Sequence, residues 1–318
     1  MSAASSGERP LVYVVVLNWN QPRYTLDCLH SLDAVTYPRC RVLVVDNAST
    51  DDSVARLRAE APHVDLIETG ENLGFAGGNN VGIRRALGAG ADYVFLLNNY
   101  AILAPDALTT LVETAEARSD AGIVGANIHY YDAPTRISEL YTYMNWWKGR
   151  PYYVGHDEED RGQYTEVREV DCVSGCALLI RRATVEAIGL MATDYFLYSE
   201  DMDWCIRAQR AGWRCLAVPQ AVVWHKVSAT VAGDESAGNV FGEYYRERSR
   251  ILFMRRHAPP VNRLVFLPMS AVALGRALVR LARQGDGRAR QGRRHARALL
   301  LGYYDGMAGR KPRRPADL

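Results

Sequence analysis

The chain has 318 residues, 48% hydrophobic and 23% charged, which is the balance of a folded protein and excludes a disordered tail or a disulfide miniature. Its six cysteines (Cys28, Cys40, Cys172, Cys176, Cys205 and Cys215) form no CxxC pair, so they read as reduced core thiols in a cytoplasmic protein and not as a zinc or redox site. The net charge of +2 conceals a division: residues 261–318 carry thirteen Lys/Arg against three Asp, whereas the first 260 carry 25 basic against 33 acidic side chains.

Residues 1–10 are small and polar, lack the apolar core of a secretory signal and are expected to be disordered. Leu11–Leu17, Arg41–Asp46, Val64–Glu68, Asp92–Asn98 and Ile123–Ala126 are short runs rich in Val, Leu and Ile, as in strands buried on both faces of a parallel sheet. Helical stretches separate them. Tyr24–Leu32 follows Pro22, Ser49-Thr50-Asp51-Asp52 offers capping oxygens for a helix ending at Glu60, Val81–Leu87 follows a glycine-rich segment, and Pro105 precedes Asp106–Arg118. Strand and helix alternate, which predicts a βαβ array over the first 126 residues. From Asn127 to Val170 the periodicity fades into an aromatic segment from Tyr130 to Tyr153, read as a ligand-facing insertion. A strand Cys172–Ile180, helices Ala183–Ile188 and Glu200–Ala211, a strand Arg214–Val218 and helices Gly242–Arg256, Arg263–Arg283 and His295–Met307 complete the chain.

Four clusters could carry chemistry. Asn18, Asn20, Asp46, Asn47, Ser49 and Asp51 follow the first two strands, where an open α/β sheet binds its ligands, and Asp46 can accept hydrogen bonds from a base or ribose. The same run also suits ordinary turn and cap chemistry. Glu71 to Asn80 (ENLGFAGGNN) supplies glycines whose backbone could approach a phosphate at the start of a helix, although it matches neither GxGxxG nor a P-loop. Tyr93 to Tyr100 (YVFLLNNY) runs into polar residues at the same sheet edge, and Glu200-Asp201-Met202-Asp203 opens a helix with carboxylates that also suit its dipole.

In this order, VVVLNWN, VVDNAST, NLGFAGGNNVG, FLLNN, VSGCALLIRR, FLYSEDMDWCIRAQRAGW and VPQAVVWH resemble the family 2 glycosyltransferases, in particular their rhamnosyltransferase-like branch, from about Val12 to His225. The resemblance implies an α/β fold of GT-A type, a Rossmann-like, mainly parallel sheet flanked by helices with a C-terminal helical extension. It implies a catalytic domain over 11–232, with a nucleotide-sugar half at 11–126 and an acceptor half at 127–232, followed by a basic helical extension at 233–318. The implied reaction is inverting transfer of a sugar, a deoxyhexose such as rhamnose, from a nucleoside diphosphate to an acceptor hydroxyl on a glycan, a lipid-linked compound or a small molecule. Asp201 falls at the general base with Glu200 beside it. Asn18, Asn20, Asp46, Asn72, Gly78, Asn79 and Asn98 fall at the donor, and His225 near a Mg²⁺ or Mn²⁺ ion and the diphosphate.

The resemblance breaks at one position. Where the family ends its fourth strand with a metal-binding Asp, this chain has Tyr100, and a phenol is a poor ligand for a hard cation. Three outcomes stay open: transfer without a tightly held cation, an impaired enzyme, or a silent homologue that binds nucleotide-sugar or glycan. A nucleotidyltransferase is disfavoured, because no glycine-rich basic loop follows the first strand. Nucleic acid is not an expected partner. In the tail, arginines alternate with Leu, Val and Ala between Arg263 and Arg297, which fits either helices held peripherally at an anionic surface on the cytoplasmic face of a membrane or a solvated helical cap on the catalytic domain. The longest uncharged run there, Leu264–Gly275, is twelve residues and too short to span a bilayer.

Overall fold

The computed structural model describes residues 8–226, 240–282 and 289–313. Four strands, β1 (Val12–Asn18), β2 (Cys40–Asp46), β3 (Asp65–Glu68) and β4 (Tyr93–Asn98), pair in parallel in the spatial order β3-β2-β1-β4. Val12, Val14 and Val16 are buried on one face of β1, and Tyr13 and Val15 on the other, so side chains alternating along one strand feed two core layers. Helices α1 (Pro22–Leu32) and α4 (Ala107–Ala117) supply apolar residues to the first layer, α3 (Gly74–Gly88) to the second. The short α2 (Ser53–Glu60) links β2 to β3.

The chain runs outward from β1 through β2 to β3 and then returns to the other side of β1 as β4. Such a reversal opens a crevice at the carboxyl ends of the two central strands, here Asn18 and Asn98. Beyond β4 the sheet becomes mixed. β11 (Ala177–Arg181) inserts antiparallel between β4 and β6 (Ala121–Tyr130), and β12 (Arg214–His225) runs parallel to β6. β6 therefore never joins β1–β4 directly, which corrects the simple βαβ array expected of the first 126 residues. The expected strand at Cys172 starts only at Ala177, whereas the expected Arg214–Val218 continues past a bulge to His225.

The aromatic segment is folded. β7 (Ile137–Glu139) adds to β6, and β8 (Tyr141–Asn145) pairs with β9 (Arg150–Val154) as a hairpin. The short β5 (Ala101–Leu103) and β10 (Arg168–Glu169) both join β12. α5 (Arg182–Ile188) and α6 (Glu200–Arg210) precede β12. α7 (Val240–His257) docks on this body: the Arg248 guanidinium donates to the Asp194 carbonyl (2.7 Å), and Phe253 stacks on Trp146. α9 (Ala289–Ala308) packs on α7, and α8 (Pro260–Ala282) leaves much of its apolar surface in solvent. All six cysteines are free thiols.

Two expectations change at the chain's start and at the glycine segment. Residues 1–7 lie outside the described residues, but Arg9 and Pro10 are held by Arg39 and by the Tyr37 hydroxyl through their carbonyls. The segment expected to be a loop before Val81 is helical from Gly74, because its glycines let α3 lie almost in contact with β1. A Cβ on Gly78 would stand 2.4 Å from Leu17, and one on Gly82 2.4 Å from Val15. Gly82→Ala is expected to lower stability by about 1–3 kcal/mol through overpacking. Gly88→Ala, at a position with nothing within 4 Å, is expected to be neutral or stabilising. Thermal melts of the two variants check the contrast.

Candidate active site

At the crevice, Asp46 is 1% exposed, and a carboxylate so placed must be hydrogen-bonded throughout. It accepts from the Asn18 amide (2.7 Å), the Ser49 backbone N–H (2.9 Å) and the Ser49 hydroxyl (2.6 Å). The network continues, since Thr25 donates to Asn18 Oδ1 (2.5 Å) and Asn99 donates to Thr25 (3.0 Å). Asn20 Oδ1 accepts from the Thr50 N–H (2.8 Å), and Asp51 accepts from the Gln21 and Ser53 N–H groups. Asn20, Gln21 and Ala48 are held at positive φ in these loops. Strained backbone of this kind persists only where its surroundings over-determine it, and it concentrates at ligand sites. Asp46 thus builds the rim of the crevice.

The glycine segment does similar internal work. Asn72 Oδ1 accepts from the Asn47 amide (3.1 Å) and the Gly74 N–H (2.9 Å), Asn79 donates to the Phe75 carbonyl (3.0 Å), and Gly78 packs on Leu17. Of the donor residues expected here, Asn72, Gly78 and Asn79 therefore shape the wall. The Phe75 N–H donates to the Phe196 carbonyl (2.7 Å), which ties this wall to the loop before α6. Phe196, Tyr198 and Ser199 in that loop also have positive φ, and it delivers Glu200 and Asp201 to the crevice.

Three carboxylates open α6, and their surroundings separate them. Asp203 is bound on every side, by Arg207 (2.7 Å), His257 (2.7 Å) and the Tyr195 hydroxyl (3.1 Å). Burial works to raise its pKa, but hydrogen bonds from His257 and Arg207 outweigh it and lower the pKa. Asp201 is half-buried and accepts from the Gly175 N–H (2.9 Å) and the Met202 N–H (2.8 Å). Desolvation outweighs these donors and raises its pKa. Glu200 is 4% exposed, with one oxygen unpartnered, and burial followed by repulsion from Asp201 lifts it to about 8.

Glu139 has no distinguishing sequence signal, yet β7 brings it to the same place. It is hydrogen-bonded to Ser174, the neighbour of the Gly175 that holds Asp201, and burial first, then Asp201, raise its pKa. Tyr153 on β9 feels both carboxyls and is likewise raised, chiefly by burial. Phe75 and Gly175 close this side: a Cβ on Gly175 would lie 3.2 Å from Phe75 and 3.4 Å from the Asp201 Cβ.

The model of the family described as "Glycosyltransferase like family 2" matches residues 9–250, most of the chain. The chain belongs to that family. It is 29% identical over 243 residues to an N-acetylglucosaminyl-diphospho-decaprenol L-rhamnosyltransferase of Mycobacterium tuberculosis, covering 70% of this chain and 78% of the relative. It is 24% identical over 259 residues to the dTDP-rhamnosyl transferase RfbF of Shigella flexneri, covering 79% and 82%. A Pyrobaculum calidifontis mannosyltransferase, solved with GDP-Man and Mn²⁺, superposes with a TM-score of 0.56 over 94% of this chain and 88% of its own, at 19% identity. GalNAc-T7, solved with UDP, GalNAc and Mn²⁺, gives 0.56 over 77% and 52%, at 14% identity. The fold is the GT-A type of these glycosyltransferases.

Within this family-2 frame, the metal position is the anomaly. Tyr100 is buried, its ring 4.9 Å from that of Tyr24. His225 reaches the crevice at the end of β12, but its Nε2 is 3.1 Å from the Asn98 amide nitrogen, and burial drops its pKa to about 4, which keeps the ring neutral. Among the described residues no three His, Cys, Asp or Glu side chains are grouped to hold a metal. Asn98, Tyr100 and His225 lie together at the ends of β4 and β12, yet as ligands they lack the carboxylate a hard cation prefers.

Burial of Glu200 sets a pH signature. Its folded pKa lies above the ordinary 4.5, so this group costs nothing below about pH 4.5 and costs progressively more stability up to about pH 8. Glu200→Gln is expected to leave the Tm unchanged near the lower pH and to raise it near the upper. An equal gain at both would remove charge as the cause.

Proposed function

We propose that the protein transfers a sugar, a deoxyhexose such as rhamnose, from a nucleoside diphosphate to an acceptor hydroxyl with inversion at the anomeric carbon, and that Asp201 is the base. The observation that carries this reading is the position of Asp201. It is fixed by the Gly175 N–H beside Phe75, where the wall built by α3 meets the acceptor-side strands. The rhamnosyl transfer named for two relatives supports the choice of sugar.

The donor lies along the crevice rim, with its nucleotide against the loops ordered by Asp46 and its diphosphate toward Asn98 and His225. An acceptor oxygen attacks the anomeric carbon from the opposite side as Asp201 takes its proton. Glu200, kept protonated near neutral pH, avoids placing a second negative charge beside the base and the diphosphate. Glu139 and Tyr153 bound the acceptor side. Asp201→Asn is expected to lower turnover by roughly 10² to 10⁴ while keeping donor affinity, and Glu200→Gln to alter donor affinity first. The acid limb of the parental rate profile should lie above the ordinary carboxylate range, because Asp201 works ionised and its pKa is raised. Retained donor binding with no turnover of any nucleotide-sugar in the parental chain would favour the silent homologue that Tyr100 raises.

The acceptor is lipid-linked, and the protein works peripherally at an anionic surface on the cytoplasmic face of a membrane. α8 supports this reading. It contains a window of mean hydropathy 1.7, long and apolar enough to cross a bilayer, yet only 11% of that window is buried. The helix is therefore longer and more apolar than the twelve-residue uncharged run indicated. Val261, Leu264, Met269, Val272 and Val279 are exposed, while Arg263, Arg276, Arg280 and Pro268 suit a helix lying in the interface more than one spanning it. The decaprenol-linked substrate named for the M. tuberculosis relative agrees. Sedimentation with anionic vesicles is expected at low salt, and little with neutral ones. Leu264→Ser with Met269→Ser should weaken it through lost insertion, and Arg276→Gln with Arg280→Gln by about 1 kcal/mol per charge.

A further inference from the structure

The crevice holds a cation without a task in the reaction just described. Lys226 follows His225 at the end of β12, and its backbone N–H donates to the carbonyl of Tyr100 (3.1 Å), so it is anchored to the residue that occupies the family's metal position. Its ammonium lies 3.2 Å from Asp27 and stands 4.2 Å and 4.7 Å from the ring centroids of Tyr131 and Tyr24. The Tyr24 ring in turn packs against Tyr100. The Lys226 side chain is 19% exposed, held in position by one carboxylate and two aromatic faces.

The donor set at this place fits a divalent cation poorly. It offers a buried phenol, an amide, and an imidazole whose Nε2 already faces that amide, while the nearby Asp27 is paired with Lys226. Departure of a nucleoside diphosphate still builds charge that something must stabilise. A lysine ammonium binds phosphate as a compact point charge with three donors. We propose that Lys226 supplies, in place of a divalent metal, the positive charge that stabilises the departing nucleoside diphosphate. The proposal rests on the glycosyltransfer reading. In that step the bond between the anomeric carbon and the diphosphate oxygen breaks and its electron pair stays on the diphosphate. The acceptor oxygen bonds to the same carbon, and its proton passes to Asp201. Lys226 keeps its protons and donates hydrogen bonds to the leaving oxygens.

The test is titration of the full chain with dTDP, UDP and GDP, each against its monophosphate, in excess EDTA and in Mn²⁺. The expected result is a preference for diphosphate over monophosphate that persists in EDTA. Lys226→Met should erase that preference by weakening diphosphate binding about tenfold or more, the worth of a charge-assisted hydrogen bond, with monophosphate affinity unchanged. Lys226→Arg should retain most of it. Loss of the diphosphate preference in EDTA by the parental chain would overturn the proposal even if Lys226→Met did not fold, as would a Lys226→Met protein that keeps the preference. Binding of no nucleotide under any condition would instead overturn the glycosyltransfer reading, and this role with it.

Discussion

A buried carboxylate fixes the geometry of the crevice. Asp46 has almost no access to water, so both of its oxygens need partners from within, and Asn18 and Ser49 supply them. That requirement pins the loop after β2 to the loop after β1, and Thr25 and Asn99 extend the connection to α1 and to the end of β4. The left-handed conformations of Asn20, Gln21 and Ala48 are maintained by this network, each at a cost of about 1–3 kcal/mol. Two strands that the chain visits far apart in sequence thus present one rigid edge to a ligand.

The start of α6 shows how environment distributes roles among like residues. Three carboxyls lie within four positions, and their ordinary pKa values are nearly alike. His257, Arg207 and Tyr195 turn Asp203 into an anchor between α6 and α7. Burial without sufficient partners keeps Glu200 protonated near neutrality, and two backbone N–H groups orient Asp201. Titratable groups whose surroundings push them apart are the usual basis for dividing acid and base work in one site.

The C-terminal helices serve two different surfaces. α7 is bound to the body by Arg248, His257 and the Phe253–Trp146 stack, and its removal would take the His257 partner from Asp203. α8 keeps its apolar side chains outward, and an apolar surface of that length is costly in water unless something covers it. Under the proposed reading an anionic lipid surface covers it, and the basic charge concentrated after residue 260 supports that choice.

Local patterns determined much of this in advance. Apolar runs, prolines and caps placed β1–β4, α1, α4, α6 and α7 to within a few residues, because strand and helix periodicity reside in the segments themselves. Seven ordered motifs carried the family, and with it the expectation for Asp201. Tertiary structure alone decided that the glycine segment is a helix pressed on β1, because only the approach of Leu17 and Val15 shows why Gly78 and Gly82 lack side chains. It also decided that β11 separates β4 from β6, that Asp46 faces inward, and that Glu139 joins Asp201 across Ser174 and Gly175. The pairing of Lys226 with the surroundings of Tyr100 belongs to the same class. Each depends on desolvation and contact between residues distant in the chain, quantities that no local window of sequence contains.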